Sequence, residues 1–178
     1  MNPTDLLLNR PWSGPLREDW PPEKHNRRVA LQTGSIAVLL FRAGTKHFAI
    51  RLSALDFCSP APSFHSIPFR SSPVFLGLGN VGGEFVLCIA AATLLESVQA
   101  EPGPVCIGIS SQHTRYALIV AGIKGLHRVF PSELTPVSGE GSCTSANFQA
   151  AGLPVALIDE ACLTATMGRL CSRSGDAA

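Results

Sequence analysis

Gly77, Gly79 and Gly82 stand in the spacing Gly-x-Gly-x-x-Gly, inside the stretch LGLGNVGGEF of residues 76 to 85. That spacing is the one that wraps a dinucleotide pyrophosphate, and its chemistry would be cofactor binding for hydride transfer. Such a loop also needs a helix opening at the glycines, so that the pyrophosphate meets the helix N-terminus, and an acid about 20 positions on to hold a ribose. Glu96 stands near that distance. The helix is missing from the pattern: GEFVLCI continues with aromatic and β-branched residues that suit a strand, and only AAATLLE beyond it favours a helix. A nucleotide-binding enzyme using GLGNVG is therefore the alternative reading of this chain and not the leading one.

Other reactive groups give less. Six cysteines, at 58, 88, 106, 143, 162 and 171, form no CxxC pair and have no histidine at zinc-ligand spacing. Several lie in apolar runs (FVLCI, PVCIGI, EACL), where a reduced thiol behaves as a small hydrophobe. No serine occupies a Gly-x-Ser-x-Gly elbow, and His25, His47, His65, His113 and His127 are scattered. Asp159 and Glu160 form an acidic pair, but at the start of a helical pattern they suit capping and the helix dipole. Neither metal, cofactor nor catalytic machinery is expected.

The elements that would carry these residues are mostly strands. The chain has 178 residues, enough for one well-buried core, with 46% hydrophobic and only 15% charged residues. A net charge of +1 and the lack of a basic run interleaved with aromatics argue against nucleic acid as a partner. No apolar stretch approaches the ~20 residues of a membrane span, and the N-terminus lacks the basic and apolar regions of a secretory signal, so a cytoplasmic protein without membrane insertion is expected. From Ser35 onward, Ile36, Val38 and Leu40 alternate with Ala37, Leu39 and Phe41, both sets apolar, which predicts a strand buried on two faces.

RAGTK then turns the chain into HFAIRL, and two further hairpins are predicted: VCIGIS with RYALIV, and SANFQA with PVALI. The connections SPAPSFHSIP, VQAEPGP and PSELTPVSGEGS cannot continue a helix or a central strand. Two helices are predicted, a short one over 91–97 and a terminal one after Asp159 that aligns Leu163, Met167 and Leu170. The proline-rich start, residues 1–34, reads as an extension with a short helical turn near LREDW, residues 35–172 as one all-β domain, and 173–178 as a tail.

Taken in order, four segments resemble CheW-type chemotaxis coupling proteins. IAVLLFRAGTKHFAIRLSALDFC is similar to that family's opening hairpin, which ends in a Val-x-Glu-Val-like pattern. FLGLGNVGGEFVLCIAAATLLE resembles its Gly-x-x-Asn-x-Arg-Gly stretch with the strand and short helix that follow. VCIGISSQHTRYALIVAGIKGLHRVFPSELTPV and AAGLPVALIDEACL resemble the next hairpin with its extended segment and the closing strand and helix, so that the likeness spans roughly residues 35 to 171. LLLNRPWSGPLREDW and ALIDEACLTATMGRL are further similar to the second coupling proteins of Wsp-type surface-sensing systems, without the Cys-rich head of those relatives.

The resemblance implies two small five-stranded SH3- or OB-like barrels packed on a shared core. It also implies a non-catalytic adaptor between the cytoplasmic tip of a methyl-accepting chemoreceptor and the regulatory domain of a CheA-type histidine kinase. Partner contacts carried over by position fall on Phe57, Cys58, Gly77, Asn80, Gly82, Gly83 and Glu84. Three family charges are replaced: Gly82 stands for the motif arginine, Phe57 for the glutamate, and Ala121 for the aspartate after RYALIV. A more apolar surface than in relatives is expected around them, and a degenerate relative that keeps the barrels without coupling activity is the further alternative they raise.

Overall fold

Gly44 and Thr45 join β1 (Ile36–Ala43) to β2 (Lys46–Arg51) in a two-residue hairpin with Ala43 facing Lys46, and Gly44 takes the left-handed φ of +57° that such a turn requires. The other two expected hairpins form as well. They are β7 (Val105–Ser111) with β8 (Thr114–Val120), and β11 (Thr144–Ala150) with β12 (Leu153–Ile158). This computed structural model describes residues 34–67, 72–111, 114–137 and 143–172. The chain divides into residues 1–33 and 34–178, and every described residue belongs to the second unit. The expected turn at LREDW, together with His25 and His113, lies outside the described residues.

The remaining strands and α-helices are β3 (Phe57–Pro60), β4 (Phe64–His65), β5 (Phe75–Val81), β6 (Glu84–Ala90), α1 (Ala91–Glu96), β9 (Gly122–Val129), β10 (Thr135–Pro136) and α2 (Glu160–Ser172). Two six-stranded sheets result, in the orders β10-β11-β12-β2-β1-β9 and β3-β7-β8-β6-β5-β4. In each, five strands of four to eight residues carry the sheet, and one two-residue strand, β10 or β4, is added at the rim. Two of the three proline-rich connections, those around Pro60 and Pro136, hold short strands, and neither continues a helix or a central strand. They sit at sheet edges, where a missing N–H costs no ladder bond; β3 ends on Pro60 and β10 on Pro136.

The two-faced apolar pattern has a direct structural meaning. In β1, Leu39, Phe41 and Ala43 face the other sheet, while Val38, with Ile36 and Leu40 beside it, faces the interior of its own. In β8, Tyr116, Leu118 and Val120 face the first sheet, and Ala117 and Ile119 face inward. Three apolar cores follow: one inside each sheet and a larger one between them. The first sheet curls until its ends meet, because His127 of β9 stacks on Phe148 of β11 with ring centroids 6.2 Å apart, although three strands separate them in the order. The second closes likewise: Phe57 of β3 and Leu76 of β5, from its two ends, pack around Val86, Cys88, Cys106, Ala117 and Ile119. Two small barrels on a shared core describe the architecture.

α2 closes the shared core with Leu163 and Met167, both fully buried. Asp159 caps it as expected, its Oδ1 accepting the Cys162 N–H at 3.0 Å. Glu160 does something different. Its carboxylate accepts the Arg51 backbone N–H at 3.1 Å and pairs with the Arg51 guanidinium at 2.6 Å, tying the helix to the end of β2.

Candidate functional site

The glycine-rich stretch is a β-hairpin. β5 runs to Val81, Gly82 and Gly83 make a two-residue turn with φ of +61° and +90°, and β6 returns from Glu84 opposite Val81. Asn80 shapes the turn, its Oδ1 accepting the Gly83 N–H at 3.0 Å. The phosphate-loop alternative is thereby overturned: a strand follows the glycines, and the helix begins only at Ala91. Glu96, the acid at the expected spacing, is engaged elsewhere. Its carboxylate takes the Thr45 N–H at 3.5 Å, the Thr45 hydroxyl at 3.1 Å and the Lys46 N–H at 2.8 Å, anchoring α1 to the β1–β2 turn. Glu96→Ala should cost about 1–2 kcal/mol, read as a lower midpoint of chemical unfolding; an unchanged midpoint would mean that this anchor is not holding the turn.

Six of the seven candidate residues separate into two groups, and Cys58 stands apart from both. Phe57, Gly108, Ala117, Cys88 and Gly77 face one another strand by strand across the second sheet, so Phe57 and Gly77 lie in a single interior row. Phe57 covers Gly108, where an added Cβ would lie 2.2 Å from its ring. Gly77 is packed against the His65 carbonyl. Both positions serve packing. Cys58, next along β3, is exposed, and burial together with the neighbouring Cys106 pushes its thiol above the ordinary range.

Asn80, Gly82, Gly83 and Glu84 form the exposed group at the β5–β6 tip. Glu84 pairs with Arg115 of β8. Two residues that sequence reading did not single out stand at this tip: Arg115, the partner of Glu84, and Phe85, which faces Asn80 across the hairpin and is 72% exposed. Phe85 escaped notice because GEFVLCI is apolar at successive positions, and the pattern does not tell which ring outruns the sheet contact. Of the replaced charges, Gly82 has open space around it, Phe57 is turned into the interior, and the Ala121 N–H is bonded to the Arg42 carbonyl at 2.9 Å. Beside Gly82 the exposed apolar side chain is Phe85, and Phe57 does not add to that surface.

A concavity of about 860 Å³ lies elsewhere, lined by Lys46, Phe48, Leu95, Asn147, Gln149 and Pro154 among others, and includes none of the seven candidates. Among the described residues, no three His, Cys, Asp or Glu side chains converge on a possible metal position, and no helix is long and apolar enough to cross a membrane.

The sequence profile of the CheW-like domain matches residues 37–161. The chain belongs to the CheW-like domain family. Members of that family are non-catalytic scaffolds, so this CheW-like chain is not an enzyme, in keeping with a glycine stretch that builds a turn. Its fold is similar to that of the scaffolding protein TtCheW from Thermoanaerobacter tengcongensis, with a TM-score of 0.59 and 11% identity over 69% of this chain and 88% of that one. No curated protein sequence matches the chain. The CheW-like match includes the hairpin Gly77–Glu84, whose turn is made by Gly82 and Gly83.

Proposed function

We propose that this CheW-like chain is an adaptor that couples methyl-accepting chemoreceptors to a CheA-type histidine kinase, working at the cytoplasmic tip of the receptor and on the kinase regulatory domain. The observation that carries the reading is the family match over residues 37–161, which spans both barrels. The β5–β6 tip supports it: Phe85, opposite Asn80 across the hairpin, is an exposed aromatic of the kind that anchors protein interfaces, and Glu84 with Arg115 adds an exposed ion pair at the same hairpin. In such an adaptor the action is positional, setting the kinase's state through contact geometry with no reaction of its own. Sequence likeness to the second coupling proteins of Wsp-type systems supports surface sensing as the signal.

Titration calorimetry with a kinase regulatory domain and with a soluble receptor-tip fragment tests this reading. Binding to both is expected, and absence of binding to either at about 50 µM would refute it. Gly82→Arg sharpens the test. The position has no atoms within 4 Å of a new Cβ, so an arginine has room, while its φ of +61° sets a stability cost of about 1 kcal/mol. Affinity for at least one partner should rise about 3- to 10-fold through the restored guanidinium. Unchanged affinity for both would take residue 82 out of the interface.

A further inference from the structure

Two thiols outside the hairpin are brought together by the way α2 starts. The β11–β12 ladder ends with Thr144 facing Ile158, and one step further the Asp159 N–H donates to the Cys143 carbonyl at 2.9 Å. The same Asp159 caps α2 through the Cys162 N–H. Cys143 and Cys162 are thus fixed to opposite sides of a single residue. The Cys143 Sγ lies 3.6 Å from the Thr166 hydroxyl, and Thr166 is one turn beyond Cys162 on the same stripe of α2. The Cys162 thiol is near enough to help raise the Cys143 thiol above its ordinary range, after burial, and both residues are half-buried.

Cys58, Cys88 and Cys106 lack this combination. Cys88 and Cys106 are fully buried, and Cys58 projects from the opposite face of the sheet to Cys106, since it faces Ile107 while Ser59 faces Cys106. We propose that Cys143 and Cys162 are a site of reversible oxidation, in which a hydroperoxide converts the thiol pair to a disulfide that clasps the first turn of α2 to the start of β11.

The chemistry balances in two steps. The Cys162 sulfur attacks the peroxide; the O–O bond breaks, the sulfur keeps one hydroxyl as a sulfenic acid, and the other oxygen leaves with the thiol proton as water or alcohol. The Cys143 sulfur then attacks that sulfur; an S–S bond forms, the S–O bond breaks, and the hydroxyl leaves with the second thiol proton as water. Two thiols lose two electrons and two protons, and the peroxide is reduced. Burial, with the nearby Cys162 thiol adding to it, pushes the Cys143 thiol up to about 11, so it is protonated at neutral pH and enters second.

The test is to treat the fully reduced chain with hydrogen peroxide, alkylate the remaining thiols, and map the peptides without reduction. A linked peptide joining Cys143 to Cys162, reversed by a thiol reductant, is expected, with the thermal midpoint raised by about 5–10 °C in the oxidised form. Full alkylation of both residues under conditions that oxidise Cys58, or a link formed instead between another pair, would overturn the proposal. Cys143→Ser checks the order of events: Cys162 should then be trapped as a sulfenic acid by a dimedone reagent, and its absence in the folded variant would also count against the scheme.

Discussion

Gly77→Ala is expected to cost about 3 kcal/mol of stability, one of the largest losses available to a single methyl group in this chain. The residue adopts φ +141°, a conformation L side chains rarely take, so strain arises before any contact is considered. A Cβ built there would lie 2.2 Å from the His65 carbonyl oxygen and 2.6 Å from its carbon. Both atoms are backbone, so no side chain can swing away. β4 would have to leave β5, breaking the pairs Phe64 with Gly79 and His65 with Leu78. Gly82→Ala is the control: its φ is also positive, at +61°, but the space around it is open, so about 1 kcal/mol is expected. Urea unfolding of both variants measures the difference. Equal losses would show that backbone strain alone governs these positions and that the close approach to His65 is unimportant.

The contrast separates two roles that the sequence runs together. In Gly-x-x-Asn-x-Gly-Gly, Gly77 keeps a neighbouring strand close, whereas Asn80, Gly82 and Gly83 make a turn that faces solvent. Sequence reading assigns all of them to one contact surface. Only the turn residues are placed for it.

Local signals carried the fold a long way. Gly44, the Asp159 cap and the double apolar alternation of β1 each express a rule that acts over a few residues, and each produced the expected element. Pairing between distant segments was not legible. β9 lies against β1, and β12 and β6 run parallel to β2 and β8, across separations that no turn chemistry specifies. Glu96 shows the same limit at the level of one side chain. Its spacing from Gly77 suggested a ribose ligand, and only the packing of α1 beside the β1–β2 turn reveals three donors already waiting for its carboxylate. The resemblance to a family supplied what local rules could not, namely that two-faced strands mean two barrels sharing one core.

That shared core makes a second large effect predictable. Phe41 is fully buried between the sheets, its ring stacked on Phe48 at 5.9 Å with an interplanar angle of 27°. Phe41→Ala should cost about 4 kcal/mol, because the apolar contacts of the ring are lost and a cavity remains between two sheets that cannot collapse independently. Location matters more here than size. Phe148 is also buried and also stacked, but its partner is His127 of the same barrel, and its contacts stay within the first sheet. Loss of Phe148 should therefore loosen the first sheet, whereas loss of Phe41 should lower amide-exchange protection in both, from Ile50 in β2 to Leu118 in β8. Protection lost only in the first sheet of Phe41→Ala would mean that the barrels are separate folding units in contact. Protection lost in both would mean that the core between them holds the adaptor together, so that a partner gripping one barrel alters the other through the same side chains.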